Sequence, residues 1–487
     1  MAENLKNKTI TGVVWSAVQK FGSTALSFIS TIVLARLLLP EDYGCLGMLS
    51  IFMAVASTFI DGGFGSALIQ KNNPSRVDYS TMFFWNLGLS IFLYLLLFLS
   101  APLIARFYNL DVLCPILRVQ GVVLIVNAIC IVQANQLRKQ LKFKKIAAVN
   151  LSVSAVSLAL TIYLAYKGYG VWALVAQQLL VSVLTTSIYW ISGNLTPLLV
   201  FSKNSFKELF GFGGYVLLSN LINTFCNNIQ GLLIGRLYNP ATMGYYSKAK
   251  GTEELSSTFI SNIMDQVTYP VLAEAQNNQE YLIRMVRKFI GVLAFITFPL
   301  MLLLILLAEP IFVLLYSDKW LPSVPYFQIL CVAGIAVCLQ GINYYAVAAI
   351  GKSGKLFKGT LIKRGLGLVL VVGGLLIDGI TGLLIGTVMT AWLVYVINAI
   401  LVHRYVGYKF LIQVKDLLPI MFISLISFVV AYLVSYFLSV YNLYINGGIQ
   451  LVVFVGVYLL MSYVVKIDAQ ASTKEIVLLL IGKIKSK

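Results

Sequence analysis

Runs of about 20 apolar residues follow one another along nearly the whole chain, each long enough to cross the roughly 30 Å hydrocarbon core of a bilayer as a helix. Inside lipid, every backbone N–H and C=O must find its partner within the protein, which leaves only helices or closed barrels. The runs lack the period-2 alternation of barrel strands, so helices are expected. Composition agrees: of 487 residues, 59% are hydrophobic and 11% charged, against about 25% charged in a soluble domain. An all-α polytopic membrane protein is therefore the expected fold class. Globular, disordered, coiled-coil and disulfide-rich secreted classes are excluded.

Apolar windows predict about 14 spans, near 9–38, 43–69, 79–107, 112–135, 147–166, 170–192, 208–235, 241–270, 287–308, 325–350, 357–377, 380–402, 416–439 and 447–465. The eighth is the least apolar. A short apolar piece, Ile311–Tyr316, follows Glu309-Pro310 and is expected as an interfacial extension. Lys20 interrupts the first run and no small-residue cleavage pattern follows, so a cleavable signal is not expected.

The 36 Lys+Arg outnumber the 18 Asp+Glu, giving +18. In a soluble protein this balance would point to nucleic acid; here the basic residues sit mainly in short loops, so no nucleic-acid partner is expected. With both termini cytoplasmic, about 25 Lys+Arg fall on inside segments, among them Arg138, Lys139, Lys142, Lys144 and Lys145. About five fall outside: Arg36, Arg106, Lys167, Arg236 and Lys319. This bias supports an even number of spans in a multi-pass chain with both termini cytoplasmic. The end of the chain, Glu475–Lys487, carries Lys483, Lys485 and Lys487 and reads as a cytoplasmic surface tail.

Several chemistries drop out. The six cysteines are scattered with no CxxC, and His403 is the only histidine, which argues against a disulfide framework, a zinc site or a His general base. No G-x-x-x-x-G-K-[ST] is present, and no loop exceeds about 20 residues. No cofactor, metal or catalytic residue is expected, and the chain is not read as an enzyme.

The chain repeats itself at a spacing of 200 residues. Ala35-Arg36-Leu37-Leu38-Leu39-Pro40-Glu41-Asp42-Tyr43-Gly44 aligns without gaps on Gly235-Arg236-Leu237-Tyr238-Asn239-Pro240-Ala241-Thr242-Met243-Gly244. Ser57-Thr58-Phe59-Ile60 falls on Ser257-Thr258-Phe259-Ile260 in the same register. The repeat motif (Arg36, Pro40, Gly44; Arg236, Pro240, Gly244) supplies a turn between two spans. Helices 1–6 then match helices 7–12 as a parallel repeat, a transporter plan with a site between the halves. The expected organisation is an N-terminal six-helix lobe (1–195), a C-terminal six-helix lobe (196–405), helices 13 and 14 (406–466) and the tail (467–487).

Polar residues inside spans are functional candidates because they are costly in lipid. Ser16, Lys20, Ser23, Ser27 and Thr31 form one face of helix 1, and Asn220, Asn223, Asn227 and Gln230 one face of helix 7. Helix 8 carries Lys250, Glu254, Ser257, Ser261, Asp265 and Thr268 on one face. Such stripes suit a hydrated cavity; polar contacts between packed helices are the alternative. The cavity cations would be Lys20, Arg118, Lys248, Lys250, Lys363 and Arg364, against Asp61, Glu253, Glu254 and Asp265. Cations suit phosphate or carboxylate, although Lys363 and Arg364 could instead snorkel to the membrane edge. Asp61, Glu254 and Asp265 are candidates for binding a proton or cation, or for pairing with a lysine.

Specific stretches also carry a resemblance. Gly12-Val13-Val14-Trp15, Ala35-Arg36-Leu37 with Pro40-Glu41-Asp42-Tyr43-Gly44, Leu68-Ile69-Gln70, Phe84-Trp85-Asn86, Phe143-Lys144-Lys145 and Gly168-Tyr169-Gly170-Val171-Trp172-Ala173-Leu174 resemble Wzx-type polysaccharide flippases. The branch is that of colanic acid and teichuronic acid exporters, within the multidrug/oligosaccharidyl-lipid/polysaccharide exporter superfamily. The resemblance implies two six-helix lobes, alternating access, and an undecaprenyl-diphosphate-linked oligosaccharide as substrate. It also implies membrane lipids, a polysaccharide polymerase and glycosyltransferases as partners, with H⁺ or Na⁺ as coupling ion, and a lipid-tail groove on helices 13 and 14. On this reading Lys20, Lys248, Lys250 and Arg118 attract the diphosphate, and Asn220, Asn223, Asn227 and Gln230 contact sugar. The alternatives are a cation-coupled multidrug exporter, a membrane-embedded glycan polymerase or glycosyltransferase, and a packing subunit without transport activity.

Overall fold

The computed structural model describes residues 2–63, 65, 67–68, 71, 74–192, 196–438, 442–467 and 469–470; within these, the side chains of 2–14, 17, 192, 212, 215, 262–267, 353 and 357–358 lie outside the description. Among the described residues the chain is almost wholly helical, with no strand. The main helices are α1 (Ala2–Leu37), α2 (Pro40–Asp61), α3 (Arg76–Tyr108), α4 (Leu113–Lys139), α5 (Phe143–Tyr166), α6 (Val171–Ser192), α7 (Lys203–Leu237) and α8 (Pro240–Glu274). They continue as α9 (Gln279–Leu306), α10 (Ala308–Tyr316), α11 (Val324–Ala349), α12 (Ser353–Tyr405), α13 (Phe410–Leu438) and α14 (Leu443–Val464).

Among the described residues, eleven helices are long and apolar enough to cross a membrane, or twelve with α7, which bends by 56° between Lys203–Gly211 and Val216–Leu237. Two departures explain why this number differs from the expected 14. The polar face of α8 keeps it below the hydropathy of a typical span. The other concerns α12, whose 53 residues would reach roughly 80 Å as one straight helix. It is broken at Asp378 (φ −140°, ψ 37°) and Gly379 (φ 54°, ψ −134°). The two arms then touch through glycines: a Cβ on Gly374 would lie 2.1 Å from the Gly382 carbonyl oxygen, and one on Gly382 2.0 Å from that of Gly374. The break falls between the expected spans 357–377 and 380–402.

The chain forms two compact units, Met1–Gly244 and Tyr245–Lys487. In the first, α1 packs along α5, α3 along α4, α4 against α6, and α2 against both α4 and α7. In the second, α11 packs along α12 and α9, while α13 pairs with α14 and leans on α9. Polar links pin this second arrangement. Tyr458 donates to the Phe295 carbonyl at 2.8 Å, Gln413 to Asn343 at 3.0 Å, and Arg287 meets Asp416 at 2.5 Å. Tyr408 donates to the same Asp416 carboxylate at 2.6 Å; burial and that neighbouring carboxylate push its hydroxyl pKa up.

The piece expected as an interfacial extension is the short helix α10, and its aromatic side chains face inward. Phe312 and Tyr316 are fully buried, as is Trp320 in the 3₁₀ turn that follows. The surface tail expected over 475–487 lies outside the described residues.

Candidate functional site

The repeated motif begins two helices in the same way. Pro40 and Pro240 each occupy the first helical position, where the missing N–H costs nothing. Each turn is then closed by one half of a capping box. In the first copy the Asp42 carboxylate accepts from the Leu39 N–H at 2.9 Å. In the second, Asn239 Oδ1 accepts from the Thr242 N–H at 2.8 Å and from its hydroxyl at 2.9 Å. Arg36 and Arg236 are exposed at the preceding helix ends, with the Arg236 guanidinium 5.0 Å from the Phe107 ring centroid.

The α2–α7 pairing carries polar residues in the first unit. Thr58 and Thr224 share a hydrogen bond of 3.0 Å. Along α7, Asn220 and Asn227 are exposed while Asn223 and Gln230 are half-buried. Asp61 is the exposed last residue of α2. Lys20 is exposed on α1, and its carbonyl accepts from Ser23 Oγ at 3.1 Å. Arg118 packs elsewhere, on α3: its guanidinium lies 4.4 Å from the Phe98 ring centroid and donates to the Phe98 carbonyl at 3.4 Å.

In the second unit α8 holds four candidate charges within two turns. The Lys248 ammonium sits 4.7 Å from the Tyr316 ring centroid and 4.9 Å from that of Trp320, with the residue only 4% exposed. Tyr316 is oriented by Thr252, whose hydroxyl lies 3.1 Å from its own. Lys250 meets Glu254 at 3.8 Å, one turn along the helix. Glu253 is buried beside Gly334, and among the described residues its Oε1 has no hydrogen-bond partner. On α12, buried Lys363 donates to Asn398 at 2.7 Å, and its neighbour Arg364 is half-buried. The side chain of Asp265 lies outside the described residues.

One charged cluster was not among the sequence candidates. Lys71, between α2 and α3, bridges Asp78 at 3.1 Å and Glu208 at 2.8 Å. The hydrogen bond to Glu208 is the largest of the effects that hold the Lys71 pKa above the ordinary lysine range. Asp78 also caps α3, accepting from the Ser75 N–H at 2.8 Å. Nearby, the segment leading into α7 is fastened to the start of α3. Arg76 donates to Thr196 Oγ1 at 3.1 Å, Leu198 N–H to Ser80 Oγ at 2.8 Å, and Ser202 N–H to Thr81 Oγ1 at 3.1 Å. A lysine followed seven residues later by a capping-box aspartate was the available signal; the third partner lies 137 residues from Lys71.

Long apolar helices with buried lysines and polar helix faces define a multi-pass membrane transporter fold. That fold matches a solved structure of the lipid II flippase MurJ in an inward closed conformation, with a TM-score of 0.74 at 16% identity, over 93% of this chain and 98% of that one. It also matches an inward-facing multidrug resistance MATE family transporter of the MOP superfamily, with a TM-score of 0.64 at 15% identity, over 81% of this chain and 98% of that one. The chain belongs to the polysaccharide biosynthesis protein family, which it matches over residues 33–325.

Among its relatives are the teichuronic acid biosynthesis protein TuaB of Bacillus subtilis (24% identical, 75% of this chain and 77% of that protein) and the lipopolysaccharide biosynthesis protein WzxC of Escherichia coli (25%, 92% and 89%). The succinoglycan biosynthesis transport protein ExoT of Rhizobium meliloti is 24% identical over 90% of this chain and 89% of that protein. The resemblance read from the first 180 or so residues therefore extends through most of the chain.

Proposed function

We propose that this chain is a flippase that moves an undecaprenyl-diphosphate-linked oligosaccharide across the bacterial inner membrane by alternating access, for cell-surface polysaccharide synthesis. The observation that carries the reading is the family match over residues 33–325. It places the chain among relatives named for teichuronic acid, lipopolysaccharide and succinoglycan synthesis or transport. The MurJ-like fold supports a lipid-linked cargo over a soluble drug-like one. The drug-exporter reading rests on fold likeness alone.

Lys20 and Lys250 are the cations we assign to the diphosphate, because neither is enclosed as Lys248 and Lys363 are. Asn220, Asn223, Asn227 and Gln230 offer amides to sugar hydroxyls. Asp61 and Glu254 stand as candidates for a coupling proton or Na⁺. Both termini are assigned to the cytoplasm on the distribution of Lys and Arg. The deciding experiment is transport of a defined undecaprenyl-diphosphate glycan in proteoliposomes, with and without Na⁺ or proton gradients. Leaflet exchange without covalent change to the glycan supports the flippase. A change in glycan length with the purified protein would favour the enzyme.

A further inference from the structure

The two copies of the repeated motif do more than start two helices: they meet. A Cβ on Gly44 would lie 1.8 Å from the Pro240 carbonyl oxygen, and a Cβ on Gly244 would lie 1.9 Å from the Pro40 carbonyl oxygen. No side chain fits at either distance. The start of α2 and the start of α8 therefore touch backbone on backbone, each glycine against the other copy's proline. Next to this contact, a Cβ on Gly235 would lie 2.7 Å from Met48 Cγ and 3.0 Å from Tyr108 Cε1. The Tyr108 hydroxyl in turn donates to the Met48 carbonyl at 3.0 Å.

We infer that the reciprocal Gly44–Pro240 and Gly244–Pro40 contact is a seal that closes one end of the translocation route and parts once in each transport cycle. The inference rests on the transport reading and adds the residues that hold this end shut. Each side is pre-formed, because its own half capping box rigidifies the turn, so the two can separate and re-dock without refolding. Close carbonyl contacts of this kind are individually weak. A seal made of them can open at modest cost, yet it excludes solvent because the backbones approach so closely. Beyond the far end of α2 the chain is held differently, by the Lys71 link to Glu208 of α7. One end thus answers to side-chain size and the other to charge.

Native Cys45 adjoins Gly44 and is 7% exposed, which makes it a reporter of the seal. The test uses the full chain in nanodiscs with Cys114→Ala, Cys130→Ala, Cys226→Ala, Cys331→Ala and Cys338→Ala, and measures alkylation of Cys45 by a polar maleimide. In that background Gly244→Ala should raise the labelling rate about tenfold or more, since overpacking of this kind shifts a two-state balance by at least that factor. Gly235→Ala, opposed by a flexible methionine, should raise it less. Gly251→Ala, on the same helix with nothing within 4 Å of the new Cβ, should leave it unchanged.

Flipping by Gly244→Ala should fall along with the loss of protection. A folded Gly244→Ala chain with Cys45 still protected would overturn the inference, as would faster labelling with an unaltered flipping rate. If Gly244→Ala does not fold, the decision passes to Gly235→Ala, where unchanged labelling overturns it. The labelling needs no substrate, so a wild-type chain that moves no lipid-linked glycan would refute the transport reading separately.

Discussion

The Lys71 ammonium lies 2.8 Å from the Glu208 carboxylate and 3.1 Å from that of Asp78, joining the segment after α2 to the first turns of α3 and α7. Glu208 is well exposed, so that arm is weakened by solvent, while Asp78 is 3% exposed and depends more on the lysine.

Lys71→Met should therefore lower thermal stability by about 1 kcal/mol, mostly through the buried Asp78 carboxylate deprived of its cation. The pH dependence has a definite sign. The folded-state pKa of Lys71 is raised, chiefly by Glu208, so its contribution is complete below the unfolded lysine value near 10.4 and is lost as pH rises through the folded value. Melting curves between about pH 9 and 12 should fall more steeply for the wild type than for Lys71→Met. Parallel curves would mean that the bridge contributes nothing in solution.

Lys248 is enclosed by Tyr316 and Trp320. Lys248→Ala should destabilise the chain by about 2 kcal/mol, combining a cavity under the two rings with a lost desolvated cation–π contact. Lys248→Met, which refills the volume, should recover most of this loss. Differential scanning fluorimetry in detergent distinguishes the two; equal melting temperatures for both variants would count against the cage.

The diphosphate assignment is tested by Lys20→Ala combined with Lys250→Ala. Charge-assisted hydrogen bonds of the expected kind are worth about 1.5–3 kcal/mol each, so flipping in proteoliposomes should fall by about tenfold or more. Full activity of the double variant would sink the assignment. Its melting temperature should change little, because an i,i+4 pair such as Lys250–Glu254 contributes only about 0.2–0.5 kcal/mol.

Within α12, Gly374→Ala drives a methyl into the Gly382 backbone and should cost about 1–3 kcal/mol. Gly373→Ala, whose added Cβ meets nothing within 4 Å, should be close to neutral. A neutral Gly374→Ala would show that the two arms of α12 are not closely apposed.

The sequence was most informative where the physics is local. Apolar runs located the helices, including the division of α12 near residue 378, because membrane thickness limits how far one span can reach. Pro40 and Pro240 marked a turn between spans, and the structure makes each the first residue of a helix, a position that proline fits. The surroundings of single charges were less legible. Nothing near Lys248 in the sequence indicates that Tyr316 and Trp320 will enclose it. Nothing near Lys363 points to Asn398, 35 residues away. Arg118 read as a cavity cation on charge and position alone, and the structure seats it on Phe98 of a neighbouring helix. Such partners are chosen by tertiary packing, which periodicity does not encode.

The meeting of Gly44 with Pro240 and of Gly244 with Pro40 also ties together the histories of the two halves. Duplicated segments are ordinarily free to drift apart, each answering only to its own neighbourhood. Here the room available to one copy is set by the main chain of the other, so a methyl gained at position 44 is a defect felt at position 240. At these positions the two copies behave as one gene product with a shared tolerance, and a change in either can be absorbed only by a backbone shift in its twin.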